Sequence, residues 1–248
     1  MRYFSELAYN GTHYHGWQRQ PNAHSVQEEV ERAFSTILGA DIEVVGCGRT
    51  DTGVHASQYF MHFDFEGKFP EGFVKRVNKL LPADISIRQI FEVKEDAHAR
   101  FDAVRRSYEY HIVFEKNPFE GQTAWHFPFF EKLDFEKLHQ AATLLLSYQE
   151  FFPFCKTHTD AKTMKVALTH SQWVVDRENQ RMTYHISADR FLRGMVRLVV
   201  GMCLNVGLGK VALDEVVDAL DKQVLLRKSW SVPPQGLFLT EVKYENLF

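Results

Sequence analysis

The sequence predicts an α+β protein built from two successive β-α-β-β-α-β units. Two observations lead to this prediction: hydrophobic residues switch repeatedly between a period of two and a helical period, and the resulting order of elements occurs twice along the 248 residues. The composition is that of a folded chain, with 45% hydrophobic and 25% charged residues. We expect a mixed, mostly antiparallel sheet with the helices on one face, which leaves the other face open to a ligand.

The first predicted half spans residues 1–104. Residues 2–9 are predicted to form a strand, and Ser25 is expected to cap a helix that ends near Gly39, with Glu28 completing a capping box. The later elements of this half are a short β-branched segment at 42–45, a strand at 59–65 with one face in the core, a helix between Pro70 and Pro82, and a strand at 85–93.

The second predicted half spans residues 105–248 and repeats the pattern. Its elements are a strand at 107–114, a helix at 134–146, a hairpin of 166–176 and 182–188, a helix at 191–206 that is apolar on one side, a short helix at 214–220 and a strand at 237–244. We place the boundary between the halves where the second series of elements begins along the chain.

Composition narrows the classes of function. We find no apolar run near the roughly 20 residues that span a membrane, and the N-terminus lacks a secretory pattern. Cys47, Cys155 and Cys203 lie too far apart for a cysteine-based metal motif, so we expect neither a disulfide framework nor a metal, and a cytoplasmic location. The net charge of -3 means that any polyanion must be held by a local basic patch.

The most unusual segment is GCGRTDTGVHA at residues 46–56. Its glycines permit close approach of a substrate, and polar residues in a loop between strands are typical of catalytic sites. Arg49 would favour the ionised form of Asp51, and a carboxylate of this kind can attack a sugar or base carbon. The alternative is a simple turn in which Asp51 caps a backbone amide.

Arginines cluster at two places, and both clusters lie beside aromatic residues. Arg100, Arg105 and Arg106 precede Tyr108 and Tyr110. Arginine interleaved with aromatic rings suits phosphates and flipped bases.

The second cluster is Arg190, Arg193 and Arg197, which helical spacing would place on one helix face. A solvated face is the alternative for the first two. Arg197 differs because apolar neighbours surround it, so we expect an acidic partner, and Asp51 is a candidate.

Together these motifs resemble the TruA family of tRNA pseudouridine synthases. The resemblance depends most on GRTDTGVHA at 48–56. The other matching motifs follow in the family's order from Tyr9 to Leu237: Tyr9–Gly11 with Gly16–Gln20, Ala99–Phe101, the Tyr108-x-Tyr110 pair, Phe191–Arg197, and the Pro-Gln-Gly-Leu run that contains Gly236.

The resemblance implies an isomerase that detaches a uracil from its ribose and rejoins it through carbon. Its implied substrates are uridines at positions 38, 39 and 40 of the tRNA anticodon arm, flipped out of the stem for reaction. It also implies two RRM-like halves around a central catalytic cleft, a homodimer, and no metal or other cofactor.

The resemblance also implies a role for each matching residue. Asp51 is the expected nucleophile, Arg49 the residue that helps to extrude the nucleotide, and Arg197 the partner of Asp51. Tyr108 is expected to lie against the target base. The other expected substrate-binding residues are His55, Arg100 and Arg105. One departure is Arg106–Ser107, because the family pattern has an arginine directly before the first tyrosine, so Arg105 or Arg106 would supply that phosphate contact.

Two other classes of function compete with this reading. A tRNA-binding chaperone could use the same cleft without catalysis, and an RRM-like module could bind protein. Neither explains the combination of Asp51, Tyr108 and Arg197, since pure binding of polyanionic RNA has no use for an acid.

Overall fold

The computed structural model describes residues 1–156 and 163–245, and these form nine strands and five α-helices. The predicted α+β class is confirmed. The chain divides into two compact units: Met1–Arg106 with the described residues from Phe238 onward, and the described residues of Ser107–Leu237.

The first unit is built around a central strand pair. Its elements are β1 (Arg2–Tyr9), α1 (Val26–Leu38), β2 (Val45–Gly46), β3 (His55–Asp64), α2 (Phe73–Leu80), β4 (Ile85–Val93) and, at the end of the chain, β9 (Leu237–Tyr244). The strand order is β4-β1-β3-β9, with β2 paired to β3. β1 runs antiparallel to β3 and β4, whereas β9 runs parallel to β3.

Helix α1 begins and ends where the sequence predicts. The Ser25 hydroxyl accepts a hydrogen bond from the backbone N–H of Glu28 at 3.3 Å, and Gly39 ends the helix with a left-handed φ of 65°. Of the β-branched segment predicted at 42–45, only Val45 lies in a strand, the two-residue β2.

The prediction that β3 has one face in the core is wrong, because both faces are buried. Tyr59 and Met61 lie on one face, fully buried, while Phe60 and His62 on the other face are also buried. Tyr244 of β9 covers this second face, with its ring 5.4 Å from that of Phe60.

The second unit contains β5 (Ala103–Val113, whose first four residues belong to the first unit), β6 (Trp125–His126), α3 (Phe135–Leu144), β7 (Leu168–Asp176), β8 (Arg181–Ala188), α4 (Met195–Gly207) and α5 (Leu213–Lys222). β8 lies between β5 and β7. β7 and β8 form the predicted antiparallel hairpin, which pairs Asp176 with Arg181.

Helix α4 differs from the prediction in two ways. It begins at Met195, after Gly194 with a φ of 70°, so Arg190 and Arg193 precede the helix and the predicted shared face with Arg197 is wrong. The helix is also buried on all sides rather than one. Arg197 is half-buried, and every other residue of the helix is buried. The cause is close packing: a Cβ on Gly201 would lie 1.8 Å from the carbonyl oxygen of Trp230.

The three cysteines are buried and unpaired. Burial raises the pKa of the Cys47 thiol to about 11 and that of Cys203 to about 12. Within 1–156 and 163–245, no helix has both the length and the apolar character needed to cross a membrane. The same residues contain no group of three or more His, Cys, Asp or Glu side chains that could hold a metal ion.

Candidate active site

Asp51 lies on a tight turn between β2 and β3. The backbone N–H of Val54 donates to the Asp51 carbonyl at 3.1 Å, and Gly53 has the positive φ of 75° that the third position of a type II turn requires. The Asp51 side chain is half-buried and Arg49 is exposed. The turn therefore presents a carboxylate and a guanidinium from neighbouring positions.

The segment from Tyr9 to Trp17 holds this turn by direct contact between backbones. A Cβ on Gly16 would lie 2.2 Å from the carbonyl oxygen of Thr50, and one on Gly11 would lie 2.0 Å from that of Val54. Gly16 also has a φ of 89°. Only glycine fits at these two positions, which explains why both glycines occur in the motif that precedes the turn.

Aromatic side chains fix the residues just before Asp51. The Tyr9 hydroxyl lies 2.8 Å from Oγ1 of Thr50, and the Tyr59 hydroxyl donates to the carbonyl of Gly48 at 2.5 Å. Trp17 stacks on Tyr59 with ring centroids 4.1 Å apart. Burial raises the pKa of Tyr59 well above its usual range, so it remains a hydroxyl donor at any physiological pH.

His55 supports the same structure from the start of β3. It is fully buried, and its Nδ1 accepts a hydrogen bond from the backbone N–H of Gly11 at 3.0 Å. Its ring stacks on Phe238 at 4.5 Å. The structure thus gives His55 a scaffolding contact, and its contact with substrate stays a prediction.

Arg106 links two segments of the first unit. Its Nη2 donates to the carbonyls of Cys47 and Arg100, both at 2.8 Å. Arg105 instead forms an ion pair with Glu241 at 2.9 Å. The sequence identifies both arginines as cations, but it does not show that one of them joins the loop at 46–56 to the segment that carries Arg100.

In the second unit, Tyr108 lies on β5 and Arg197 near the start of α4. The Tyr108 ring meets Phe191 edge to face at 5.1 Å, and both Tyr108 and Arg197 are half-buried. The Arg197 Nε donates to the carbonyl of Val232 at 2.6 Å. This hydrogen bond fixes the Nε edge of the partly buried guanidinium.

The structure therefore brings the predicted residues together in two sets. The first unit holds Arg49 and Asp51 on the loop before β3 and His55 at the start of β3, and Arg106 connects the loop to the segment of Arg100. The second unit holds Tyr108 and Arg197. The sequence did not predict that Arg106 supports the loop at 46–56.

Comparison with known proteins gives a consistent result. A family described as tRNA pseudouridine synthase matches residues 7–102 and 141–245. The chain is 45% identical to a protein named tRNA pseudouridine synthase A from Bacteroides fragilis, over 98% of this chain and 96% of the relative. Relatives of the same name from Bacteroides thetaiotaomicron and Porphyromonas gingivalis are 44% and 45% identical, covering 100% and 99% of this chain and 93% and 98% of their own lengths.

Replacing Gly16 with alanine tests the backbone contact beneath the turn. We expect Gly16→Ala to lower the free energy of unfolding by about 2–4 kcal/mol, because it adds a clash with Thr50 to an unfavourable φ. Gly39→Ala is the matched control: its φ is 65°, but no atom lies within 4 Å of the added Cβ, so about 1–2 kcal/mol is expected. Urea unfolding measures both, and equal losses would show that the clash is unimportant.

His62 should make stability depend on pH. Burial lowers its pKa from 6.5 to about 4, while its Nδ1 accepts the N–H of Ala99 at 3.1 Å. Between these pH values the unfolded chain binds a proton that the folded chain does not, so this stabilisation is complete above pH 6.5 and is lost as the pH falls towards 4.

We expect His62→Asn, which keeps an acceptor but does not titrate, to flatten the fall in unfolding free energy over this pH range. The control is His13→Asn at an exposed histidine. Urea unfolding at pH 7, 6, 5 and 4.5 measures the slope, and an unchanged slope in His62→Asn would contradict the assignment.

Proposed function

Because this chain belongs to the tRNA pseudouridine synthase family, we propose that Asp51 is the nucleophile with which it acts on uridines 38, 39 and 40 of the anticodon arm. The chain is an isomerase that converts uridine to pseudouridine in tRNA. The reaction moves the ribose bond from N1 to C5 of the same base, so it needs a nucleophile, a held base and a proton transfer.

The position of Asp51 is the main support for its role. Gly11 and Gly16 pack directly against the backbone of this turn. The Tyr59 hydroxyl donates to the carbonyl of Gly48, and the Tyr9 hydroxyl bonds to the side chain of Thr50. A carboxylate on a rigid turn is preorganised, because little conformational entropy is lost when it takes up its reactive position.

The proposed sequence of events begins with extrusion of the uridine, which costs a few kcal/mol of stacking and pairing. The exposed Arg49 side chain enters the space that the base leaves. The Asp51 carboxylate then attacks either C1′ of the ribose or the uracil ring, and the N1–C1′ bond breaks. The freed uracil rotates and C5 bonds to C1′. The bond to Asp51 breaks and returns the free carboxylate, while the ring loses the C5 proton and gains one at N1.

Two residues of the second unit complete the proposal. Tyr108, with its ring half-buried against Phe191, is assigned to the face of the target base. Arg197 is assigned to hold the ionised carboxylate of Asp51, since a half-buried guanidinium among apolar residues is stabilised by an anionic partner. The non-catalytic chaperone gains no support from these residues.

We assign the reaction to the cytoplasm, where its tRNA substrate is made, and expect a homodimer. Both proposals are based on the family alone. Light scattering with size-exclusion chromatography measures the mass of the assembly.

We expect Asp51→Asn to bind tRNA as the wild type does but to form no pseudouridine, because the amide is not a nucleophile. The substrates are unmodified tRNA transcripts with a uridine at position 38, 39 or 40, incubated without added cofactor or metal. Chemical adduct formation and primer extension then locate each pseudouridine.

The control variant is Asp41→Asn, which removes an exposed carboxylate outside the loop and should leave the rate unchanged. Full activity of Asp51→Asn would refute the nucleophile assignment. Wild-type protein that binds these transcripts without modifying them would favour the chaperone.

The assignment of Arg197 predicts energetic coupling to Asp51. In a double-mutant cycle of Arg197→Gln and Asp51→Asn, we expect the losses of unfolding free energy to be non-additive by roughly 0.5–3 kcal/mol. The Arg105 and Glu241 pair, 2.9 Å apart, is the reference cycle. Strict additivity at Arg197 and Asp51, with coupling in the reference cycle, would show that the two do not interact.

A further inference from the structure

Phe101 is an aromatic side chain displayed to solvent beside an exposed arginine. Its relative exposure is 74%, and the guanidinium carbon of Arg100 lies 5.7 Å from its ring centroid. Single exposed apolar residues are common and need no explanation. What distinguishes Phe101 is the structure that holds it.

The turn of residues 97–102 is fixed by its own side chains. Nδ1 of His98 accepts the backbone N–H groups of Arg100 and Phe101 at 3.1 and 3.3 Å. The Asp102 carboxylate accepts the N–H of His98 at 2.7 Å. The His98 ring also packs against Phe101, with centroids 4.3 Å apart, and so limits the positions that the exposed ring can adopt.

The rest of the first unit anchors the same turn. Ala99 donates its N–H to His62 and accepts the Tyr244 hydroxyl at 2.7 Å. Arg106 donates to the carbonyl of Arg100 at 2.8 Å. These contacts leave the backbone of the turn little freedom, while the two side chains at its tip remain in solvent.

Arg106 also sets the turn in a defined position relative to the nucleophile loop. The same Nη2 that binds the Arg100 carbonyl binds the carbonyl of Cys47, four residues before Asp51. A ring at position 101 is therefore held at a constant place with respect to Asp51 within the first unit.

We propose that Phe101 is a stacking platform for a nucleobase of the bound tRNA other than the target uridine, with Arg100 on an adjacent phosphate. The inference rests on tRNA as the proposed substrate. A pre-positioned ring loses little entropy on binding, and base–aromatic stacking tolerates any base because each has a π face. Phe101 would thus help to position tRNA without reading its sequence.

The test compares Phe101 variants with the same change at Phe119, a phenylalanine of the second unit that is 94% exposed. Binding of an unmodified tRNA transcript is measured in the Asp51→Asn background, and kcat/KM for pseudouridine formation in the wild-type background. We expect Phe101→Ala to weaken binding and lower kcat/KM by roughly 5- to 100-fold. Phe101→Trp should retain both, whereas Phe101→Leu should resemble alanine, and Phe119→Ala should match the wild type.

A direct reading of stacking comes from indole fluorescence. The indole fluorescence of Phe101→Trp should be quenched when the transcript is added, and that of Phe119→Trp should not. The fluorescence of the unsubstituted protein is subtracted from both. A purely structural role for Phe101 would not produce this difference.

Three outcomes would overturn the proposal while leaving the isomerase function intact. Phe101→Ala could match the wild type in both measurements. Phe101→Leu could restore binding, which would replace stacking with simple apolar contact. Phe101→Ala could change the mass of the assembly in light scattering, with activity falling in step, which would make the ring a protein–protein contact. Wild-type protein that makes no pseudouridine would instead refute the proposed function, which the Asp51→Asn comparison detects separately.

Discussion

The site of the first unit depends on one steric constraint: two backbone segments touch without side chains between them. Gly11 and Gly16 lie directly against the carbonyl oxygens of Val54 and Thr50. This contact brings the hydroxyl of Tyr9 to Thr50, next to Asp51, and the hydrogen bonds of Tyr59 and Arg106 to the preceding residues complete the support. A larger residue at either glycine would separate the two segments.

The loop and the neighbouring segment that carries Arg100 are held by hydrogen bonds between side chains and the backbone. Tyr59 donates as a neutral hydroxyl, and His62 and His55 accept backbone N–H groups through Nδ1. The charged support, Arg106, donates hydrogen bonds to the backbone carbonyls of Cys47 and Arg100. These contacts fix the backbone around Asp51, and the position of its carboxylate follows from that backbone.

Local patterns predicted most of the secondary structure, and they failed where burial came from distant residues. The bounds of β1, β4 and β9 agree with those predicted from the sequence. β3 was expected to have a solvent face, yet that face is covered by Tyr244, about 180 residues further along the chain. The candidate residues of the loop could be named from their types and spacing. Arg106 could not be recognised as a support, because its role depends on which two carbonyl groups lie within its reach.

The pairing of β9 with β3 has a consequence for how the molecule is made. Ala56 pairs with Leu239, so the ribosome must add about 180 residues after β3 emerges before its neighbour exists. At roughly 5–20 residues per second, the part of β3 at His55 and Ala56 waits on the order of 10–40 s for this partner, although β1 and β2 already pair with β3. The first unit therefore completes its sheet only after the residues of the second unit have been synthesised.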